Sequence, residues 1–266
     1  AMLEGASAAE VEQVLFHAVH VGRTDVLRAV FASGFDLHVQ RREDGATALH
    51  VACIQGRVDC VRTLLRACTR FDIRGTAGAF RGKRALEMAE DEAVRNAFVS
   101  EALQQVGIGD CDRVVALLDG GVDPNATDAS AEQSSLLHWA ASFGNVEVAS
   151  LLCQRGADVN SRNKDGATPL HEAATNSHMA VAKLLLRAGA DPCAVATAGP
   201  MRGRSPAEVA RAGPVREVLR AAVRSMRGGA EGASDSEASP RSVSEQSEEG
   251  RSGSGGSGGS SGNGGS

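Results

Sequence analysis

Short apolar segments at helical spacing recur along the chain, and a glycine follows each of them. Valines, leucines and alanines within 114–118, 146–152 and 181–185 would line one face of a helix, and Gly121, Gly156 and Gly189 come just after. A glycine past a helix end accepts the left-handed conformation in which helices commonly stop. The pattern therefore predicts a series of short helices, each closed by a glycine.

A motif of nine residues recurs between these segments. Asp-Gly-Ala-Thr-Ala-Leu-His-Val-Ala at 44–52 matches Asp-Gly-Ala-Thr-Pro-Leu-His-Glu-Ala at 165–173, and Ser-Leu-Leu-His-Trp-Ala-Ala at 135–141 is a third version. Leu137 and Leu170 are 33 positions apart, and Leu15 and Leu49 are 34 apart. The motif and its period resemble the ankyrin-repeat family, whose signature is Thr-Pro-Leu-His-x-Ala at a spacing of about 33 residues.

The resemblance implies an all-α fold, an ankyrin-repeat solenoid of about six to seven helix-turn-helix repeats with short β-hairpin loops, over roughly residues 10 to 227. It also implies that the motif histidines bond to neighbouring backbone and tie adjacent repeats together, with catalysis or metal binding as the alternative. These histidines are His50, His138 and His171. In this family, ligands usually lie along the concave face formed by the loop tips and the first helices.

Two units depart from the motif in the same way. Residues 81–89 and 202–210 keep the core of a first helix but lack the histidine, and each follows a long loop, at 69–80 and 194–201. The second resembles the capping repeat that a stack needs in order to hide its last apolar face. We therefore expect two blocks of repeats, 10–100 and 101–227, joined without a linker.

The two ends of the chain differ in composition from these blocks. Residues 1–9 are interpreted as a leader or tag, since Ala1-Met2 is typical of a cleavage scar. Residues 228–266 are rich in serine, glycine and acidic residues, which predicts a disordered acidic tail or linker. Acidic or proline neighbours there indicate possible phosphorylation, against an unmodified solubilising tail as the alternative, at Ser234, Ser239, Ser242 and Ser247.

Candidate partner-binding residues follow from the family's concave face and from the charge of the loops. The first set precedes the repeat glycines and comprises Ile54, Gln55, Ile108, Ser142, Phe143, Thr175 and Asn176. The second set places positive charge along one row of loops and comprises Arg41, Arg42, Arg81, Lys83, Arg84, Arg162, Lys164, Arg202 and Arg204. Together they predict a groove for another protein, such as an acidic and partly apolar peptide. Packing between repeats and a merely solvated basic face are the alternatives.

The sequence therefore favours a protein–protein interaction scaffold, an adaptor or an inhibitor, and not an enzyme. It contains no nucleophile elbow, Gly-rich phosphate loop or His-Glu-x-x-His motif. With no tyrosine, one tryptophan and a net charge of −5, it lacks the features of a nucleic-acid-binding surface. We expect no cofactor, no metal and no membrane segment, and a monomer in the cytoplasm or nucleus. In an alternative reading, the acidic tail occupies the groove and the protein regulates itself.

Overall fold

The computed structural model describes residues 7–130, 132–211 and 213–231, and these residues form short helices joined by loops. The helices are α1 (Ala8–Val21), α2 (Thr24–Ala32), α3 (Ala48–Ile54), α4 (Val58–Ala67), α5 (Glu92–Ile108), α6 (Cys111–Asp119), α7 (Leu136–Phe143), α8 (Val146–Gln154), α9 (Pro169–Thr175), α10 (Met179–Arg187), α11 (Pro206–Val209) and α12 (Pro214–Glu231). Single turns of 3₁₀ helix lie at Gly78–Phe80, Leu86–Met88 and Gly199–Met201. Extended pairing in the described ranges is limited to isolated bridges, such as that between Thr127 and Ser135.

The helices stack as seven units in two layers, which confirms the predicted helical repeat fold. Units 1, 2, 5 and 6 are the antiparallel pairs α1/α2, α3/α4, α7/α8 and α9/α10, and like helices of neighbouring units pack side by side. Unit 3 consists of the turn Leu86–Met88 and the start of α5, and unit 4 consists of the end of α5 and α6. Unit 7 consists of α11 and α12. The core lies between the layers and consists of leucine, valine and alanine side chains such as Leu137, Ala140 and Leu152.

Each motif histidine bonds in two directions at the start of a first helix. The Nδ1 atom of His138 accepts the backbone N–H of Ser135, the N-cap residue, with N···N 3.2 Å. Because Nδ1 is an acceptor, the ring proton lies on Nε2, which donates to the Ala167 carbonyl of the next unit at 3.0 Å. His50 and His171 repeat the arrangement, with Nε2 3.0 Å from the Lys83 carbonyl and 3.1 Å from that of Arg204.

The two irregular units are structural copies of each other. The features of the first irregular unit recur 121 positions later in the chain. The His50–Lys83 bond corresponds to the His171–Arg204 bond, and the turn Gly78–Phe80 corresponds to the turn Gly199–Met201. The same shift relates two further bonds: Thr76 and Thr197 donate their N–H to the carbonyls of Asp44 and Asp165, at 2.7 and 2.8 Å. The chain thus contains two copies of the same arrangement, which consists of a long loop, a 3₁₀ turn and a shortened first helix.

Helix α5 runs through the position at which the sequence predicts a boundary between two blocks, residues 100 and 101. It packs against α4 on one side and against α6 and α7 on the other. The Arg113 guanidinium of α6 ties these parts together, because it donates to the Leu65 and Cys68 carbonyls and pairs with the buried Glu101 carboxylate at 3.1 Å. Since α5 is continuous, no loop precedes unit 4.

Helix α12 extends to Glu231, beyond the predicted start of the tail at Gly228. The buried side chains of Val215 and Leu219 anchor the start of this helix, and its last turn includes the first four residues of the predicted tail. The rest of the predicted tail and the leader up to residue 6 lie outside the described residues, as do the four candidate phosphorylation sites Ser234, Ser239, Ser242 and Ser247.

We predict that His138→Ala lowers the free energy of unfolding by about 1–3 kcal/mol, because it leaves the Ser135 N–H without a partner inside the stack and removes the bond to the Ala167 carbonyl of the next unit. Urea titration followed by circular dichroism measures the loss. His17→Ala is the matched control, since His17 is exposed on α1. Equal stability of the two variants would contradict a structural role for His138.

We also predict that stability falls as the pH drops below about 6.5, the ordinary pKa of histidine. Burial lowers the pKa of His50, His138 and His171 in the fold, although the carbonyl each bonds opposes the shift. As the pH falls, the unfolded chain therefore binds more protons than the folded chain. The stability that the neutral rings contribute is complete above pH 6.5, and it is lost as the pH falls through their lowered pKa values. Melting temperatures from pH 7.5 to 5.5 test this, with a slope of up to about 1.4 kcal/mol per pH unit per histidine. A flat profile would contradict it.

Candidate partner-binding face

The first helices end in exposed apolar side chains on one face of the stack. Ile54, Ile108 and Phe143 have 41%, 66% and 52% of their surface exposed, although each lies beside a well-packed core. Gly109 and Gly144 adopt left-handed backbone conformations directly after Ile108 and Phe143. This conformation stops the helix and leaves the preceding side chain without a following turn to cover it. The structure thus places the three predicted apolar residues on helix ends at the surface.

The predicted polar residues of this face bond between units. Gln55 Nε2 lies 2.8 Å from His20 Nδ1, and Asn176 Nδ2 donates to Ser142 Oγ at 3.2 Å. Thr175 donates its hydroxyl to the His171 carbonyl within its own helix. Gln55, Ser142 and Asn176 therefore hold neighbouring helix ends at a fixed spacing, and a ligand would find them already engaged.

The predicted basic residues divide into two classes. Arg41 pairs with Asp44 and lies over the Phe16 ring, Arg84 is half-buried 3.9 Å from Glu87, and Arg162 donates to the Gly166 and Val195 carbonyls. These three side chains hold loops in place. The others are exposed and take part in no ion pair among the described residues; they are Arg42, Arg81, Lys83, Lys164, Arg202 and Arg204.

The basic loops of the predicted row form two groups. Arg42, Arg81 and Lys83 lie before units 2 and 3, whereas Lys164 and Arg202 lie before units 6 and 7. Unit 4 has no preceding loop because α5 is continuous. The loop before unit 5, residues 120–134, has Asp123, Asp128 and Glu132 and no basic residue. The middle of the face is therefore acidic.

A pocket that the sequence did not predict lies in this acidic middle. Trp139 is half-buried, and its ring stacks on Phe143 with centroids 5.7 Å apart and planes at 27°. The rings border a pocket of about 160 Å³ that Glu132, Ser134, His138, Ser142 and Glu172 complete. The signal in the sequence was that the only tryptophan follows a motif histidine, at the position that Val51 and Glu172 occupy in other units.

Glu172 is under electrostatic strain in this pocket. Burial raises the pKa of its carboxyl, and the nearby carboxylates of Glu132 and Asp165 raise it further. No ion pair among the described residues involves any of these three acids. The site therefore holds negative charge that the protein itself leaves without a cation.

The described ranges contain no group of three or more His, Cys, Asp or Glu side chains placed to hold a metal ion. Of the part of the chain that the structure describes, no helix has the length and apolar character to cross a membrane. All six cysteines are unpaired, and burial raises the pKa of the Cys68 thiol to about 12.

Comparison with known sequences agrees with this geometry. The family model for ankyrin repeats (three copies) matches residues 4–94 and again 101–196. The chain therefore belongs to the ankyrin-repeat family, whose members carry modules for binding other proteins.

Curated relatives match over short parts of their own length. Neurogenic locus notch homolog protein 1 of Danio rerio is 29% identical over 161 residues, which is 55% of this chain and 6% of that protein. SH3 and multiple ankyrin repeat domains protein 1 of Homo sapiens is 41% identical over 68 residues, 26% of this chain and 3% of the relative. Ankyrin repeat-containing protein P1E11.10 of Schizosaccharomyces pombe is 40% identical over 62 residues, 23% of this chain and 29% of that protein.

We predict that Glu172→Gln raises the melting temperature at pH 7. Folding raises the pKa of this carboxyl above its unfolded value, which is near 4.5. The stability that the protonated carboxyl contributes is therefore complete below pH 4.5, and it is lost as the pH rises through the pKa in the folded state. The ionised carboxylate thus destabilises the fold at neutral pH, and the amide removes the charge. Calorimetry should show a higher melting temperature for the variant than for the native chain at pH 7, and a smaller difference at pH 4. Glu147→Gln, at an exposed position of α8, is the control.

Proposed function

We propose that the protein is an interaction scaffold, an adaptor or an inhibitor, that binds an acidic and partly apolar peptide of another protein. The observation that carries the proposal is the exposed pair Ile108 and Phe143 at the ends of first helices, with unpaired basic side chains in the loops on either side. Apolar side chains of the peptide would pack on the helix ends. Its carboxylates would lie against Arg42, Arg81 and Lys83, or against Lys164 and Arg202.

The two parts of this surface contribute differently to binding. An exposed ion pair contributes only about 0.2–1 kcal/mol, and salt screens it. The basic loops would therefore act mainly on the rate of association, by attracting an acidic chain. A buried aromatic contact lengthens the lifetime of a complex and is much less sensitive to salt. Phe143 is the side chain best placed for that role.

Further features of the chain fit a monomeric binding module of the cytoplasm or nucleus that acts without catalysis. The six unpaired cysteines suit a reducing compartment. The hydroxyls of Ser135 and Thr168 bond to motif histidines that bridge to the next unit, so those histidines are engaged in holding the stack. We also propose the two blocks 10–100 and 101–227 as the organisation of the stack, supported by the internal repeat at 121 positions.

We predict that Arg81→Glu combined with Arg202→Glu slows association with acidic peptides by roughly tenfold at low salt, since two attractive charges become repulsive. Peptides are first selected by phage display on the full chain, and their association and dissociation are then measured by biolayer interferometry between 50 and 500 mM NaCl. The difference between variant and native chain should shrink as salt rises.

The matched control is Arg66→Glu combined with Arg187→Glu. Both residues are exposed on second helices, are 121 positions apart like Arg81 and Arg202, and give the same change in net charge. We expect this control to keep most of the association rate. Selected peptides without acidic residues, or rates that ignore both salt and charge reversal, would contradict the proposal.

A further inference from the structure

The aromatic wall of the pocket in unit 5 is held in a fixed position before any ligand binds. Trp139 donates its indole N–H to Asp128 Oδ2 at 3.0 Å. Asp128 is buried, and its other oxygen accepts the Ser134 N–H at 3.0 Å and the Ser130 hydroxyl at 2.7 Å. The indole orientation therefore depends on a carboxylate that is itself fixed. The Phe143 ring stacks on it and keeps about half of its surface exposed.

The opposite wall of the pocket is acidic. Glu172 occupies the position of Trp139 in the next unit, one residue after the motif histidine, so the packing of α7 on α9 sets the two side chains side by side. Glu132 closes the pocket from the loop before unit 5. In the sequence, the basic residue nearest to Glu172 is Lys164. Its backbone N–H donates to the Glu132 carbonyl, and its ammonium pairs with no described acid.

We propose that this pocket binds one cationic side chain of the partner, a lysine or an arginine. The alkyl stem would lie along the Trp139 and Phe143 rings, whose electron-rich faces attract a cation. The charged head would meet the Glu172 and Glu132 carboxylates, which lack a counter-ion among the described residues. A cation–aromatic contact strengthens when it is desolvated, and a hydrogen bond between ionised groups is stronger than a neutral one.

The dimensions of the pocket favour a single side chain. Its volume of about 160 Å³ is well below the roughly 300–1,000 Å³ of sites for drug-sized ligands. One stacked pair of rings is also short of the cage of several rings that a quaternary ammonium prefers. The protein already uses the same contact internally, with Arg41 over Phe16 at 5.6 Å and Arg113 over Phe71 at 5.7 Å.

This inference deepens the proposed function and rests on it in one respect, since the cation would belong to the same bound peptide. The face then has positive loops, an acidic aromatic pocket and further positive loops in succession. A complementary peptide would have a basic residue between acidic stretches. The pocket itself can be tested without knowing that peptide.

The test uses the intrinsic fluorescence of Trp139. The chain has one tryptophan and no tyrosine, so the emission reports this pocket alone. The full chain is titrated with the capped tripeptides acetyl-Gly-Lys-Gly-amide and acetyl-Gly-Arg-Gly-amide at constant ionic strength. The uncharged control is acetyl-Gly-norleucine-Gly-amide, whose side chain keeps the stem without the ammonium. We expect saturable changes with lysine or arginine at concentrations roughly tenfold below those needed for norleucine.

Variants assign the effect to the pocket. Glu172→Gln should weaken lysine binding by roughly tenfold and leave norleucine binding unchanged, because it removes charge and keeps shape. Glu147→Gln should bind like the native chain. Phe143→Ala should weaken all three tripeptides, and since Glu172→Gln is expected to fold well, the test does not depend on the Phe143 variant.

Two results would overturn the inference: equal response to lysine and norleucine, or lysine binding that survives Glu172→Gln. Neither bears on the selected acidic peptides, whose binding is measured separately by association rate. If those peptides bind and the tripeptides do not, the scaffold function stands and the cation pocket falls. If the tripeptides bind and no acidic peptide is selected, the cation pocket stands and the proposed binding of an acidic peptide falls.

Discussion

In three of the seven units an imidazole ring, fixed as a single tautomer, joins the unit to the next one. In His50, His138 and His171 the Nδ1 atom accepts an N-cap N–H of its own unit, and Nε2 donates to a carbonyl of the next. A protonated ring could not make the first bond, and the other tautomer could make neither. Spacing and rotation at these three junctions therefore depend on a neutral ring, which burial favours by lowering its pKa. The proposed partner-binding face takes its geometry in part from these bridges.

The bridge explains why residues from different units meet on the face. It holds first helices in register, so equivalent positions of neighbouring units lie side by side, and bonds such as Gln55 to His20 and Asn176 to Ser142 maintain this at the helix ends. The Trp139–Glu172 pocket wall comes from the same register, because both residues follow a motif histidine. A repeat stack thus builds composite sites by substituting one position per unit, without any change of backbone.

The sequence was sufficient for features that depend on local rules and was insufficient for those that depend on neighbours. Capping by Thr47 and Thr168, the glycine stops and the exposed positions of Ile108 and Phe143 all follow from the motif. The continuity of α5 did not, because Glu92–Ile108 has no apolar periodicity that distinguishes one long helix from two short ones. Nor did the engagement of Arg84 and Arg162, because Arg84 pairs with Glu87 of its own unit and Arg162 bonds to a carbonyl that the next unit presents. Nor did the pocket beside Trp139, because it needs the acidic loop before unit 5 as well as the motif.

The placement of charge along the face has a consequence for selectivity. A peptide with acidic residues throughout would be attracted by the basic loops of units 2, 3, 6 and 7, but it would bring carboxylates against Glu132, Glu172 and Asp165, where charge is already repelled. Like charges in contact cost more than exposed opposite charges contribute, so the acidic middle would reject that peptide or shift its register. An isolated basic residue between acidic stretches satisfies both parts of the face at once. Under the proposed function, the unpaired Glu172 carboxylate would then select one sequence, in one register, from the acidic chains that the loops would attract.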